Sequence, residues 1–187
     1  MILSAPSGAG KTSLAHALAE RLRERGQRVA FSVSYTTRAP RRGEEDGRDY
    51  HFVDDATFSA MVQEQAFLEH AGVYERRYGT GRAATEAALQ SHDLVILDID
   101  WQGAQQVRKH WPQVLSVFIR PPSLQELERR LRTRGQDDEQ TVAARMQQAE
   151  AELSHADEFD QQIVNDDFAR ALDALLALVD SRATAAR

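Results

Sequence analysis

The sequence contains no cysteine, only two lysines, and no apolar run that approaches the length of a membrane span. Without cysteine, the chain can form neither a disulfide framework nor a thiolate metal site. A helix that crosses a bilayer needs ~20 predominantly apolar residues, and the first helical segment carries too many charges for a signal peptide. We therefore expect a cytoplasmic protein without a membrane partner.

Acidic residues outnumber basic ones, and the formal net charge is −6 at pH 7. Proteins that bind the nucleic-acid backbone are usually basic, so a nucleic-acid partner is not expected. Small anionic ligands remain compatible with the composition, since 21 of the 23 basic residues are arginine and several of them cluster. One of the two lysines, Lys11, lies in a glycine-containing loop, where a compact ammonium group is a usual phosphate ligand.

The first twelve residues predict a strand, a phosphate-binding loop and the start of a helix. Apolar residues lead into the small residues of Ala5-Pro6-Ser7-Gly8-Ala9-Gly10-Lys11-Thr12, and leucines at every fourth position follow. Glycines let successive backbone N–H groups point into one concavity, and the N-terminus of a helix lies behind it. The regular motif begins with glycine where this chain has Ala5, but Gly8 and Gly10 stand where the loop must turn. A polyphosphate fits such a loop.

Short apolar runs alternate with helical patterns along most of the chain, which predicts the α/β class. We expect a P-loop NTPase-type parallel sheet of five strands, flanked by helices. Between residues 34 and 80 the alternation stops, so we predict an inserted lobe of mixed α/β structure there. The predicted core covers residues 1–33, 81–123 and 145–187, and a short lid region covers 124–144. The strand at residues 1–4 is short for a central strand, so we expect the natural chain to begin upstream.

Two acidic residues, Asp98 and Asp100, end a near-continuous apolar run that is typical of a buried parallel strand. Ligands bind at the carboxyl edge of an open parallel sheet. A carboxylate there suits Mg²⁺ held through water, beside Thr12 and the phosphates of a nucleotide. Solvation of a strand end would account for the same two residues, so the composition alone leaves both readings open.

Two groups of arginines suggest further anion sites. In the lobe, forked guanidinium groups suit a second phosphate, and two phosphate sites imply a donor and an acceptor. Near residue 135, basic side chains flank a polar interruption that could close over a triphosphate. Charged residues of loops and helix surfaces are often only solvated, and that alternative stays open. The first group is Arg38 and Arg41, with Tyr50; the second is Arg130, Arg134 and Arg145.

A longer pattern resembles the guanylate kinase family over essentially the whole chain. Its arginine and tyrosine signature is far more specific than the phosphate loop. The matching motifs are Ser34-x-Thr36-Thr37-Arg38-x-Pro40-Arg41-x-Gly43-Glu44-x-x-Gly47-x-Asp49-Tyr50-x-Phe52-Val53, Phe67-Leu68-Glu69, Tyr78-Gly79-Thr80, Asp98-Ile99-Asp100-x-Gln102-Gly103 and Ile163-Val164-Asn165-Asp166. The resemblance implies transfer of a phosphoryl group from MgATP to GMP, and also to dGMP.

The resemblance also implies a role for individual residues. The implied catalytic residues are Lys11, Arg38, Arg130, Arg134 and Arg145. The implied ATP-binding residues are Ala5, Pro6, Ser7, Gly8, Ala9, Gly10, Lys11, Thr12, Ser13, Arg130, Arg134 and Asn165. Around GMP, Arg38, Arg41, Tyr50 and Tyr78 would hold the phosphate, and Ser34, Glu69, Thr80 and Asp100 would surround guanine. Mg²⁺ would be bound by Thr12 directly and by Asp98 through water. Arg76 and Arg77 depart from the small polar residues expected before Tyr78.

Two other functions are known for this kind of architecture. Guanylate-kinase-like interaction modules bind phosphopeptides without catalysis, and they would keep the arginine and tyrosine site while losing the donor site. Kinases that phosphorylate a sugar phosphate would not need Glu69. Since Lys11, Thr12 and Asp98 are present together with Glu69, the enzyme is the preferred interpretation. The sequence predicts no oligomeric state.

Overall fold

The structure is a computed structural model that describes residues 1–73, 75–133 and 138–185. The strands are β1 (Ile2–Ser4), β2 (Val29–Phe31), β3 (Ser34–Thr36), β4 (His51–Phe52), β5 (Phe67–Val73), β6 (Arg76–Gly81), β7 (Leu94–Asp98), β8 (Ser116–Arg120) and β9 (Gln161–Val164). The helices are α1 (Lys11–Glu24), α2 (Asp55–Gln63), α3 (Arg82–Ser91), α4 (Trp101–His110), α5 (Leu124–Thr133), α6 (Glu139–Ser154) and α7 (Phe168–Ala185), with a 3-10 turn at Ala156–Glu158.

The predicted α/β class and the five-stranded parallel sheet are confirmed. The sheet has the strand order β2-β7-β1-β8-β9, and the pairs β1–β8, β2–β7 and β8–β9 are parallel. Its central strands are apolar and buried, as is typical of a parallel sheet that is covered on both faces. Among the described residues, no helix combines the length and apolar character that crossing a membrane requires.

The chain divides into two compact units. The first unit comprises residue 1 and residues 27–114, and the second comprises residues 2–26 and 115–187. In the first unit, β2 pairs with β7, and a separate four-stranded sheet has the order β4-β3-β6-β5. In the second unit, β8 lies between β1 and β9, with α1, α5, α6 and α7 in the same unit.

The first helix of the second unit follows the predicted pattern. Leu14, Leu18 and Leu22 are fully buried, because a spacing of four residues keeps them on one face of α1. Gly26 follows the helix with φ of 82° and donates its N–H to the Arg23 carbonyl oxygen over 2.9 Å. This positive φ is the reason that glycine suits the C-terminal cap. The first helix is therefore encoded locally.

Two strands of the four-stranded sheet, β3 and β6, lie where the sequence shows no clear strand pattern. Residues 34–50 are polar and rich in turn-forming residues, yet β3 lies at their start, between β4 and β6. The sequence of β6 contains Gly79 and Gly81, and glycine disfavours strands. A Cβ at Gly79 would stand 2.9 Å from the Phe67 ring, and one at Gly81 would stand 3.1 Å from the Tyr35 ring. The two glycines thus make room for aromatic rings of the neighbouring strands, which tertiary packing alone explains.

Candidate functional site

The phosphate loop of the second unit turns at its two glycines. Gly8 and Gly10 both have φ of 94°, a left-handed conformation that favours glycine. Gly10 is the residue before α1, so the first helical N–H groups lie directly behind the loop. Among the described residues, Gln65 is the only non-glycine with positive φ, so Ala5 has an ordinary backbone. The first motif position therefore does not require glycine in this chain.

Asn165 connects the loop to the end of β9. Its side-chain amide donates to the Ala9 carbonyl oxygen over 2.7 Å, and its own backbone N–H donates to the Arg120 carbonyl oxygen. The side chain lies directly against Gly10, where a Cβ would meet the amide nitrogen. Because Asn165 is only 6% exposed, this hydrogen bond is sheltered from competing water. Asn165, predicted on the adenine side, therefore also shapes the phosphate loop.

Replacing Gly10 by alanine is expected to weaken ATP binding by at least about tenfold and to destabilise the fold by ~1–2 kcal/mol, the usual cost of a left-handed alanine. The new methyl group would both strain the backbone and displace the Asn165 amide. Calorimetric titration with ATP and thermal unfolding measure the two effects.

Gly26→Ala is the matched control, since Gly26 also has positive φ but a Cβ there meets no atom of the described residues within 4 Å. It should lose stability and keep ATP affinity. Unchanged ATP affinity in Gly10→Ala would contradict the contribution of the Gly10–Asn165 contact.

Arg130 of α5 lies beside the same asparagine. Its guanidinium group donates to the Asn165 carbonyl oxygen over 3.0 Å and to Glu126 over 2.9 Å. Hydrogen bonds from Arg129, and then Arg130, lower the pKa of Glu126 to about 2. Only half of a capping box forms at the start of α5: Ser123 accepts the Glu126 N–H, while the Glu126 carboxylate binds arginines. The Asn165 carbonyl oxygen and the Glu126 carboxylate thus hold the Arg130 guanidinium group close to the phosphate loop.

The other two arginines of this group are Arg134 and Arg145. Arg145 lies half-buried on α6, a helix that begins after Asp138, whose carboxylate accepts the Thr141 N–H over 2.7 Å. Arg134 falls outside the described residues, as does part of the predicted lid region at 134–137. Lys11 and Thr12 are the first two residues of α1, and Ser13 follows them on the exposed side.

In the first unit, three of the residues predicted around guanine form one row across three strands. Ser34 of β3 pairs directly with Thr80 of β6, and Thr80 pairs directly with Glu69 of β5. The Thr80 hydroxyl donates to the Glu69 carboxylate over 2.5 Å, and the two side chains are 0% and 4% exposed. A register shift between Phe67 and Glu69 brings the carboxylate opposite Thr80. The sheet therefore assembles a buried carboxylate and two hydroxyl groups on one face.

Asp100, the fourth residue predicted around guanine, is the cap of α4. Its carboxylate accepts the Gly103 N–H over 2.8 Å and also a hydrogen bond from the Gln102 amide over 3.3 Å. Two residues earlier, the half-buried Asp98 ends β7. Both acidic side chains thus stand at the carboxyl end of a strand, as the sequence predicts.

The residues predicted to bind the acceptor phosphate meet around the Arg38 guanidinium group. It lies 5.3 Å from the centre of the Tyr50 ring, and the Tyr50 and Tyr78 rings are 6.0 Å apart. Arg38 donates to Glu44 over 2.8 Å, and the backbone N–H of Arg41 donates to the same carboxylate over 2.7 Å. The hydrogen bond to Glu44 raises the pKa of Arg38, and a hydrogen bond to Tyr78 raises it further. Arg38 is therefore charged and oriented.

No role is predicted for Glu44 from the sequence, although it lies in the longest motif that resembles the guanylate kinase family. Its hydrogen bond with Arg38 lowers the pKa of the Glu44 carboxyl group, so the pair is charged at neutral pH. The two side chains are 14% and 19% exposed, which makes their attraction less screened than that of a surface ion pair. Only the position of an acidic residue six places after Arg38 could have signalled this contact.

Arg77, which departs from the expected pattern, contacts α2. Its guanidinium group lies 4.3 Å from the centre of the Phe58 ring and donates to the Ser59 hydroxyl over 2.8 Å. Its backbone exchanges two hydrogen bonds with Thr37 on the neighbouring segment. Arg77 thus ties α2 to β6 inside the lobe, while the adjacent Arg76 is exposed.

Comparisons with known proteins identify the family of this chain. The family model described as "Guanylate kinase" matches residues 1–182. The curated guanylate kinase of Alkalilimnicola ehrlichii is 54% identical over 177 residues, which cover 95% of this chain and 85% of that protein. The curated guanylate kinase of Chromohalobacter salexigens is 51% identical over 183 residues, which cover 98% of this chain and 83% of that protein.

A solved structure gives the same result at the level of the fold. The crystal structure of guanylate kinase from Anaplasma phagocytophilum matches with a TM-score of 0.78 and 34% sequence identity, and the match covers 97% of this chain and 84% of that one. The match of sequence and fold over nearly the whole chain shows that it belongs to the guanylate kinase family, nucleoside monophosphate kinases that use ATP as phosphoryl donor and GMP as acceptor.

Proposed function

We propose that this chain transfers the γ-phosphoryl group of MgATP directly to the phosphate of GMP, and also of dGMP. The observation that carries the proposal is the buried carboxylate of Glu69 in one row with Thr80 and Ser34. Tyr78 lies two residues before Thr80 on β6, and side chains two apart share a face of a strand. A guanine reader and a phosphate-binding group therefore belong to one lobe.

Guanine suits this row of side chains because of its hydrogen-bonding pattern. It presents N1–H and an exocyclic amine side by side, and a carboxylate such as Glu69 can accept from both. Adenine has an unprotonated N1 and would set an acceptor against that carboxylate. We assign the contacts to the remaining base atoms to Ser34, Thr80 and Asp100.

The acceptor phosphate is assigned to the side chains around Arg38. Arg38 and Arg41 would supply guanidinium groups, and Tyr50 and Tyr78 would supply hydroxyl donors. The Glu44 carboxylate holds the Arg38 group in place, so less conformational entropy is lost when the phosphate binds.

The donor site is assigned to the phosphate loop, with residues 5–13 around the phosphates of ATP and Asn165 on the adenine side. Lys11 would neutralise the transferring group, together with Arg130, Arg134 and Arg145. Hydroxyl and carboxylate oxygens are the ligands that Mg²⁺ prefers, so we assign the ion to Thr12 directly and to Asp98 through water. When bound, Mg²⁺ neutralises charge on the phosphates of ATP.

The reaction needs no general base. A GMP phosphate oxygen attacks the γ-phosphorus, the bond from that phosphorus to the bridging oxygen breaks, and the electron pair stays with ADP. The attacking oxygen is already ionised near neutral pH, since the second pKa of a phosphate monoester is about 6. The protein groups therefore only position the two anions and neutralise their charge.

The proposal also assigns a role to each region of the chain. Residues 34–80 form the acceptor lobe, 124–144 the lid region, and 1–33, 81–123 and 145–187 the core that carries the donor site. We also propose the cytoplasm as the location of the reaction.

One assay separates the proposed function from its alternatives. MgATP is offered with GMP, dGMP, AMP, UMP or a ribose phosphate in turn, and ADP formation is measured. Turnover with GMP and dGMP alone is the expected result. A ribose phosphate as the sole acceptor would indicate a sugar-phosphate kinase, and GMP binding without turnover would indicate an interaction module.

Replacing Glu69 by glutamine is expected to lower kcat/KM for GMP by about 10²-fold and to raise the ratio of AMP to GMP turnover. The amide keeps the size of the side chain. It replaces one of the two acceptor oxygens by an NH2 group, so one guanine donor would face another donor. Competition assays with GMP and AMP measure the ratio. Glu64→Gln, an exposed change just after α2, serves as the control and should leave the ratio unchanged. Unaltered selectivity in Glu69→Gln would show that another group reads the base.

A further inference from the structure

Helix α4 carries a buried glycine, Gly103, in its first turn. Helix propensity favours alanine over glycine at such a position, and φ at Gly103 is not positive, so the backbone does not require glycine. The space that a Cβ would occupy is instead taken by the Glu69 carboxylate. A Cβ would stand 2.9 Å from Glu69 Cδ, 3.3 Å from Glu69 Cγ, and closer still to Oε2.

The environment of the Glu69 carboxylate explains why it lies there. It is 4% exposed, and burial of a charged group is costly unless opposite charges or hydrogen bonds compensate it. The Thr80 hydroxyl donates to one of its oxygens. The other oxygen faces the N-terminal turn of α4, where the helix dipole favours negative charge. An ionised carboxylate is the form that can accept from two guanine donors, and such a charge suits the N-terminal turn of a helix.

The strand that carries Glu69 is fixed to the same helix. The Gln106 side chain of α4 accepts the His70 N–H over 3.1 Å and donates to the His70 carbonyl oxygen over 2.8 Å. β5 is the edge strand of its sheet, with β6 on one side. Gln106 therefore pairs with backbone groups on the edge of β5 that faces away from β6. Gln102 adds a longer contact to the Gly72 carbonyl oxygen. The distance between β5 and α4 is therefore set by hydrogen bonds and cannot readily increase to admit a methyl group.

We propose that Gly103 determines base specificity: its missing side chain lets the Glu69 carboxylate lie against α4, in the position from which it reads guanine. Gly103 acts through Glu69 and is a positioning residue. The proposal rests on the function proposed for Glu69. A methyl group at residue 103 moves the carboxylate while leaving the Thr80 hydroxyl, the Arg38 group and the phosphate loop in place.

The test is Gly103→Ala, with Gly72→Ala as the matched control. Among the described residues, a Cβ at Gly72 meets no atom within 4 Å, although Gly72 lies on the same strand as Glu69. In Gly103→Ala we expect KM for GMP to rise by about 30-fold or more and the preference for GMP over AMP to fall by a similar factor, with a much smaller change in kcat. Gly72→Ala should change neither. Wild-type selectivity in Gly103→Ala would overturn the proposal.

A second variant separates displacement of Glu69 from a general defect of the lobe. Aspartate is one methylene shorter, so Gly103→Ala combined with Glu69→Asp leaves room for the new methyl group. This double variant should recover part of the preference for GMP and any loss of Tm seen in Gly103→Ala. Recovery of Tm without recovery of preference would overturn the proposal, as would recovery of neither.

Failure of this inference can be told from failure of the proposed function. If Glu69→Gln relaxes selectivity and Gly103→Ala does not, the inference is wrong and Glu69 remains the guanine reader. If neither variant changes selectivity, the proposed role of Glu69 is wrong and the inference falls with it.

Discussion

Replacing Lys11 by alanine is expected to lower kcat by about 10³-fold or more while GMP affinity stays unchanged. Lys11 is the first residue of α1, directly after the glycine at which the phosphate loop turns. Its ammonium group is assigned to the γ-phosphoryl group, where negative charge must be neutralised as the group leaves ADP. The side chains assigned to GMP do not include Lys11, so GMP affinity is expected to be independent of this side chain. Steady-state kinetics and calorimetric titration with GMP measure the two quantities.

The second lysine of the chain provides the control. Lys109 is exposed in the last turn of α4, where a positive charge suits the C-terminal end of the helix. Lys109→Ala removes the same kind of charge and should retain full turnover. Equal turnover of Lys11→Ala and the wild type would refute the assignment of the donor site, and a parallel loss in Lys109→Ala would point to a general effect of charge.

Replacing Arg38 by methionine is expected to lower kcat/KM for GMP by about 10²–10³-fold. Methionine keeps a long apolar stem against the Tyr50 and Phe52 rings but removes the guanidinium group. The change also leaves the half-buried Glu44 carboxylate without its partner, in the region assigned to the acceptor phosphate. An uncompensated negative charge there repels the phosphate, so KM for GMP should rise as well as kcat fall. Initial rates over a range of GMP concentrations separate the two.

Arg42→Met tests whether any arginine of this loop has the same effect. Arg42 is exposed, four residues after Arg38 in the loop, and is not assigned to the acceptor site. It should keep kcat/KM within about twofold, since surface charges contribute little. The assignment of the phosphate site would be contradicted if both variants lost activity to the same extent, or if Arg38→Met retained wild-type kinetics.

The local parts of the molecule could be predicted without coordinates. Strand, loop and first helix follow one another within 24 residues, and each depends on neighbours in the chain: apolar residues in β1, glycines at the turns, and leucines four apart in α1. The apolar run of β7 is similar, because burial on both faces selects continuous apolar sequence. The role of Lys11 stays a prediction from the same local pattern, since a phosphate loop and its lysine are adjacent in the chain.

The lobe was less predictable, because its contacts join residues that are distant in the chain. Ser34, Glu69 and Thr80 meet only through the pairing of β3, β6 and β5. The glycines of β6 oppose a strand prediction, and the packing of Phe67 and Tyr35 over them reverses that local preference. The approach of Glu69 to Gly103 spans 34 positions and leaves no trace in the residues beside either one.

Amino-acid order alone established the α/β class, the phosphate loop and the resemblance to guanylate kinases, because hydrophobic periodicity and loop chemistry act between near neighbours. Folding in three dimensions settled which side chains share a face, which carboxylate orients Arg38, and that Gly103 in the first turn of α4 lies against Glu69. Those contacts depend on strand register and on the distance between a strand and a helix, and neither quantity is encoded in any short segment of the chain.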